Sequence, residues 1–240
     1  MKRVYLLLAA TLVIITICTS GCLSSPKDRD VLFQSSTISA LSEGVFDGDL
    51  TYKDLRQHGD FGLGTFDDLD GEMIALAGEF YQIKADGKAY LVEDSMETPF
   101  AVVTLFEPDK AVSLDKVLDY EQLKQYLDSM LPTNDIFYAI KAEGAFKYIK
   151  ARSVPTQSKP YPSLAEALEG QTIFEFHDVT GSLVGFWCPS YVEGINVPGY
   201  HFHFITSDRK AGGHLLDCRT ESAKIEIDYT SEFFMMLLGD

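Results

Sequence analysis

The segment Tyr200-His201-Phe202-His203-Phe204 alternates aromatic and histidine side chains, and His214 follows it in the sequence. On a β-strand, residues two apart share a face, so His201 and His203 point the same way with Cα atoms about 6.5 Å apart. Residues 206–213 between them and His214 are mostly polar and end in two glycines, which predicts a hairpin that brings His214 opposite His203. The sequence therefore predicts three imidazoles on one face of a sheet.

Three imidazoles on one face can bind a divalent cation, with each nitrogen about 2.1 Å from the metal. Cys218 shares the strand face with His214 but lies about 13 Å further along, so it is too distant to be a fourth ligand. A site with an open position is typical of catalytic metals, and neutral histidines suit zinc best, although iron, manganese and cobalt also accept them. The alternative is a surface hairpin with solvated histidines. Three-histidine sites on strands also occur in hydratases and cupin-like enzymes.

The composition is that of a globular protein. Hydrophobic residues make up 46% and charged residues 23% of the 240 residues, which excludes a disordered or collagen-like chain. The net charge of −16 repels phosphate backbones, so nucleic acid is not an expected partner. Alternating apolar and polar runs outnumber helical patterns. We therefore expect an α+β fold of mixed and antiparallel sheets with few short helices, in two sheet-rich halves of which the C-terminal one is barrel-like.

Local signals predict the elements. Short helices are expected over 34–44, after Thr51, over 160–170, and after Asp119, which with Gln122 has the spacing of a capping box. Strands are expected over 71–105, 137–152 and 173–228. The stretches 80–87 and 137–144 resemble each other, so both are predicted to form the same kind of hairpin.

The first residues have the features of a targeting segment. Residues 1–21 carry two basic residues and a short apolar run before Cys22, which predicts a lipoprotein-type signal peptide with Cys22 as the lipidated residue. An uncleaved N-terminal anchor is the alternative. Either places the protein outside the cytoplasm, attached to the cell membrane only through this N-terminal lipid or anchor.

Residues 22–32 are then expected to form a tether, 33–155 an N-terminal sheet domain and 156–240 a C-terminal metal-binding β domain. In the folded part, Cys188 and Cys218 are expected as either a disulfide or two buried thiols.

Several longer motifs follow one another in order along the chain. They are Asp47-Gly48-Asp49-Leu50-Thr51, His58-Gly59-Asp60-Phe61-Gly62-Leu63-Gly64-Thr65-Phe66, Leu69-Asp70-Gly71-Glu72-Met73, Phe137-Tyr138-Ala139-Ile140, Arg152-Ser153-Val154-Pro155, Gly194-Ile195-Asn196-Val197-Pro198-Gly199-Tyr200-His201-Phe202-His203-Phe204-Ile205 and Gly212-Gly213-His214-Leu215-Leu216-Asp217. Over about residues 35 to 228 the chain resembles the α-acetolactate decarboxylases.

The resemblance implies a zinc-dependent lyase that converts 2-acetolactate into acetoin and carbon dioxide, and thus serves acetoin and butanediol biosynthesis. It implies that zinc binds to His201, His203 and His214, and that Arg152, Glu72 and Thr65 are active-site residues. A small-molecule substrate and a homodimer are further expectations.

The resemblance also implies a glutamate on a C-terminal tail that reaches the site. The last glutamate in this sequence is Glu232, so we expect proton delivery to differ from that of the relatives. The alternative function is a non-enzymatic lipoprotein that binds zinc or a hydroxy-keto acid. A three-histidine hydratase or hydrolase is a third candidate.

Overall fold

The computed structural model describes residues 30–237, and β-strands dominate it. The strands are β1 (Val31–Ser35), β2 (Leu50–Thr51), β3 (Phe61–Thr65), β4 (Glu72–Leu76), β5 (Glu79–Ile83), β6 (Ala89–Leu91), β7 (Glu97–Thr98), β8 (Ala101–Thr104), β9 (Lys110–Leu114), β10 (Phe137–Ser153), β11 (Thr172–Cys188), β12 (Gly199–Thr206), β13 (Gly212–Thr230) and β14 (Glu232–Met236). The α-helices are α1 (Ile38–Ser42), α2 (Tyr52–Leu55), α3 (Tyr120–Asp128) and α4 (Leu164–Glu169), and short 3₁₀ turns cover Asp67–Leu69 and Ser190–Val192.

The strands form two main sheets. The first has seven strands in the order β14-β1-β8-β3-β4-β5-β6, and it is mixed because β14 runs parallel to β1. The second is antiparallel, with the order β10-β11-β12-β13-β9. In it β10 also pairs with β13, so the pairings of β10, β11, β12 and β13 form a closed circuit. The expected α+β fold of mixed and antiparallel sheets is confirmed.

The two sheets pack against each other. Strands β11 and β12 lie against β3 and β4, and one hydrophobic cluster includes Leu63 and Ile74 from the first sheet with Val184 and Phe186 from the second. A second cluster, which includes Leu123 of α3, covers the other side of the second sheet. The space between the sheets is therefore a low-dielectric interior.

Sheet membership does not follow the predicted boundary between residues 155 and 156. Strands β9 and β10 precede it yet belong to the second sheet, and β14 follows it yet pairs with β1 in the first. Pairing between strands that are distant in sequence decides which sheet a strand joins, and a local shift in composition does not reveal such pairing. The division into two domains stays a prediction.

Capping chemistry predicted the helices well. Asp119 and Gln122 form the expected capping box at α3, and Thr51 caps α2. The predicted helix over 34–44 is wrong at its start, because Val31–Ser35 pairs with β8 and β14, and α1 begins only after the cap Thr37.

The repeated hairpin is only half correct. Residues 80–87 do turn between β5 and β6, whereas 137–144 run straight through β10. Similar sequence did not produce the same turn because β10 is paired along both of its edges.

Both cysteines in the described residues are free and buried, in different hydrophobic clusters, so the disulfide alternative is wrong. The proposed signal, Cys22 and nearly all of the tether lie outside the described residues and stay predictions. Within residues 30–237, helices of the length and hydropathy needed to span a bilayer are absent.

The shared core between the sheets gives a stability prediction. Phe186 is 1% exposed, so Phe186→Ala should lower the free energy of unfolding by about 3–5 kcal/mol. Leu91→Ala, at a side chain 67% exposed on β6, is the control and should change it by less than about 0.5 kcal/mol. Urea unfolding followed by circular dichroism measures both. Equal effects of the two substitutions would contradict a core formed between the sheets.

Candidate metal centre and active site

The register of the second sheet brings the predicted histidines together. His203 on β12 lies directly opposite His214 on β13, as the hairpin predicted, and His201 is two residues before His203. Phe202 and Phe204 pack into the cluster on the far side of the sheet. By strand alternation the histidines therefore face the first sheet.

A second neighbour of β13 contributes Arg152. Arg152 on β10 is the cross-strand partner of His214 on the side away from His203. Gly213 makes this approach possible, since its φ is +148° and a Cβ there would lie 2.5 Å from the Arg152 carbonyl oxygen. His214 therefore lies between His203 on one neighbouring strand and Arg152 on the other.

The histidine nitrogens converge on one point. His201 Nε2 and His203 Nε2 each lie 3.3 Å from His214 Nδ1, and one ligand nitrogen from each of the three falls within 4.8 Å of the others. His203 Nδ1 lies 2.8 Å from the Met73 carbonyl oxygen. As the donor in that bond, Nδ1 carries the proton and leaves Nε2 free to bind a metal.

The environment keeps these rings in the form that binds metals. Burial lowers the pKa of all three imidazoles, that of His201 to about 4, and the positive charge of Arg152 lowers each further. Neutral imidazole is the ligand form. The neutral form of the three rings and the convergence of one nitrogen from each therefore fit a divalent cation that prefers nitrogen ligands.

The first sheet supplies the acidic group. Glu72 begins β4, and it shares a strand face with Ile74, which packs between the sheets. Arg152 Nη1 donates to Glu72 Oε1 at 2.8 Å, and Glu72 Oε2 lies 3.5 Å from His203 Nε2. Burial raises the pKa of Glu72 while Arg152 opposes that rise. The carboxyl group is thus placed to exchange a proton beside the histidines.

The hydroxyl group of Thr65 is hydrogen-bonded to the backbone and is not a free polar group. Thr65 lies opposite Glu72 in the β3–β4 ladder, and its hydroxyl donates to the Gly71 carbonyl oxygen at 2.7 Å. That bond holds the residue before Glu72 in place, while the Thr65 oxygen remains an acceptor on the cavity wall.

These groups line one cavity of about 250 Å³, whose remaining lining is mostly apolar. The apolar lining residues are Ile38, Leu41, Leu69, Phe100, Val154, Leu164 and Val197. Sequence reasoning missed them, because α1 and α4 carry the spacing of ordinary core helices and nothing local indicates what they cover. Glu232 lies exposed on β14 and is not among the residues that line the cavity.

Fold and site together define a class of protein. Three neutral imidazoles that line a pocket beside a buried arginine–carboxylate pair are an arrangement that can hold a metal ion and is typical of an enzyme with a small-molecule substrate.

Comparison with known proteins identifies the family. The family model described as alpha-acetolactate decarboxylase matches residues 32–239. The chain is 55% identical to the alpha-acetolactate decarboxylase of Methanosarcina mazei, over 89% of this chain and 74% of that one, and 49% identical to that of Brevibacillus brevis, over 89% and 75%. The crystal structure of alpha-acetolactate decarboxylase from Bacillus subtilis superimposes with a TM-score of 0.86 at 40% identity, covering 88% of this chain and 90% of that chain. The chain belongs to the alpha-acetolactate decarboxylase family, and the expected enzyme class, a carboxy-lyase, is confirmed.

The geometry of the histidines predicts their role in metal binding. His203→Ala should weaken zinc binding by about 100-fold or more, because it removes one of three converging nitrogens. Competition with a chromophoric chelator measures the dissociation constant. His177→Ala, at an exposed histidine on β11, is the control and should leave it unchanged. Wild-type affinity in His203→Ala would contradict the three-histidine site.

Proposed function

We propose that this chain decarboxylates 2-acetolactate to acetoin and carbon dioxide, with zinc bound by His201, His203 and His214. The observation that carries the proposal is that these three imidazoles and the Arg152–Glu72 pair line one cavity. Family membership supports the same reaction. Because acetoin is its product, the chain would act in acetoin and butanediol biosynthesis.

The donor set supports zinc. Zinc commonly takes three protein ligands and keeps one position open in catalytic sites, and neutral histidines are among its preferred ligands. When bound here, zinc supplies Lewis-acid polarisation of the adjacent hydroxyl and ketone oxygens of the substrate.

Arg152 interacts with the negative charges of the substrate and of the developing enolate. The substrate is a carboxylate, and the protein carries a net charge of −16, so a fixed positive charge in the cavity is needed to favour entry. When the bond from C2 to the carboxylate breaks, its electron pair forms the C2–C3 double bond and the C3 ketone oxygen becomes an enolate oxygen. The guanidinium stabilises this developing negative charge.

Glu72 completes the reaction by giving a proton to C2, which lost carbon dioxide, and this yields acetoin. Burial raises the pKa of Glu72, and a shift in that direction favours the protonated form that a proton donor needs. The apolar walls limit the water that could deliver the proton from another side. A single donor on one side favours one stereoisomer of acetoin.

A non-enzymatic binding protein is not favoured, because simple capture of zinc or a hydroxy-keto acid does not need a proton-exchanging carboxyl group at the histidines. A hydratase or hydrolase is less well supported, because such a reaction needs access for water to a largely apolar pocket.

The test is acetoin formation from racemic acetolactate. We expect activity that is lost on chelation and returns with zinc. Glu72→Gln should lower kcat by about 100-fold or more, because it removes the proton donor, whereas Glu79→Gln at an exposed position on β5 should not. Zinc binding without acetoin formation in the wild type would reject the decarboxylase in favour of the binding protein.

We also propose a homodimer formed through β14. This strand pairs only with β1 among the described residues, so it ends the first sheet, and Phe234 on it is 55% exposed. An exposed apolar edge strand is a template for pairing with a second copy.

Light scattering should give twice the chain mass for the wild type and one chain mass for Phe234→Lys. Leu91→Lys on β6, at the opposite edge of the sheet, is the control and should remain dimeric. Dissociation by Leu91→Lys alone would assign the interface to the other edge.

A further inference from the structure

Two amide side chains form a buried pair that the reaction itself does not use. Gln34 on β1 is 0% exposed and Asn196, in the segment before β12, is 2% exposed. Asn196 Nδ2 donates to Gln34 Oε1 at 2.7 Å, across 162 positions of sequence. A hydrogen bond between buried amides adds little net stability, but a partner left unpaired costs much more. The pair is therefore sensitive to the placement of both segments.

Each amide also holds its own segment of backbone. Gln34 Nε2 donates to the carbonyl oxygens of Ser36 and Ile195, both at 2.7 Å, and Asn196 Oδ1 accepts from the Val197 backbone N–H at 2.6 Å. Ser36 has a φ of +61°, the left-handed turn that directs the chain from β1 into α1. The amides thus specify both the turn into α1 and the conformation at Val197.

The segments joined in this way form one wall of the cavity. Ile38 and Leu41 on α1 and Val197 beside Asn196 all line it. Two backbone bonds, from the N–H of Ile38 to the carbonyl of Ile195 and from Ser39 to Gly194, run along the same junction. The wall therefore depends on contacts between elements that are far apart in sequence.

The histidine centre is held by other contacts. The β12–β13 ladder sets His203 against His214, and the Met73 carbonyl orients the His203 ring. Neither contact involves Gln34 or Asn196. A change in the amide pair should thus move the apolar wall without moving the nitrogens.

We propose that Gln34 and Asn196 are a positioning pair, which holds α1 and residues 194–198 together as the apolar wall that contacts the alkyl groups of the substrate. The pair controls the affinity for 2-alkyl-2-hydroxy acids rather than the affinity for metal. This inference rests on the proposed function, because it takes the cavity to be the substrate site.

The probes are 2,3-dihydroxy-2-methylbutanoate and its 2-ethyl analogue. Both keep the carboxylate and hydroxyl group but carry an alcohol in place of the ketone, so they have no acceptor for the electron pair and do not react. Calorimetry on the zinc-loaded full chain gives their dissociation constants. The KM and kcat for acetolactate, the zinc dissociation constant and the Tm complete the measurements.

Asn196→Asp and the milder Gln34→Asn should each weaken binding of the 2-methyl probe about tenfold and raise KM similarly, with a smaller effect on kcat. They should also change the ratio between the 2-methyl and 2-ethyl probes, while zinc affinity stays within about twofold. The reciprocal exchange Gln34→Asn with Asn196→Gln restores two amides of the same combined length and should recover part of the loss.

Thr104→Val is the matched control. Thr104 is also fully buried, and its hydroxyl donates to the Val31 carbonyl at 2.9 Å, but it does not line the cavity. It should lower the Tm and leave binding of both probes unchanged.

Folded variants with a reduced Tm but wild-type probe affinity would overturn the inference, as would a parallel loss of zinc affinity. A wild-type chain that makes acetoin while both variants keep its KM rejects the positioning pair and leaves the decarboxylase intact. If the wild-type chain makes no acetoin, the proposed function is rejected. The probe affinities still test the positioning pair in that case, and a wild-type chain that binds neither probe overturns it.

Discussion

The register of β13 against β12 and β10 is the constraint on which the site depends. His214 faces His203 on one side and Arg152 on the other, so one strand position aligns a metal ligand with a second ligand and with the cation. A slip of one residue would turn His214 away from the cavity and place Leu215 there. Leu215 and Cys218 are both buried on the opposite face. The expectation that Cys218 shares the face of His214 is wrong, because the register shift between Leu215 and Asp217 leaves Leu216 as an extra residue and reverses the alternation beyond it. Burial of Leu215 and Cys218 resists a slip, because it would move both into the space between the sheets.

The same alternation in the first sheet brings the acid to the histidines. Glu72 and Thr65 are cross-strand partners on β4 and β3, and Ile74 and Leu63 on those strands pack toward the second sheet. The interior between the sheets has a low dielectric constant, which makes an isolated charge costly. The arrangement meets this cost by pairing Arg152 with Glu72 and by keeping three imidazoles neutral.

Much of the site was readable from sequence because it is encoded in strand periodicity. The spacing of His201 and His203 and the glycine-ended turn before His214 were sufficient to predict the hairpin and its shared face. The capping pair at Asp119 was equally local. By contrast, residues 137–144 resemble a true hairpin yet continue through β10, and β9, β10 and β14 pair across the predicted boundary, since hydrogen bonding to distant strands outweighed the local pattern.

The sequence by itself determined the secondary structure around the histidines and the face they share. Its family motifs also identified Glu72, Thr65 and Arg152 as candidate active-site residues. Only the tertiary structure decided that Arg152 pairs with Glu72, that Thr65 donates to Gly71, and that α1, α4 and Val197 close an apolar cavity over them. The physical reason is the range of the interactions: alternation and capping act over a few residues, whereas the cavity arises where two sheets pack together, and its walls come from segments more than 150 residues apart.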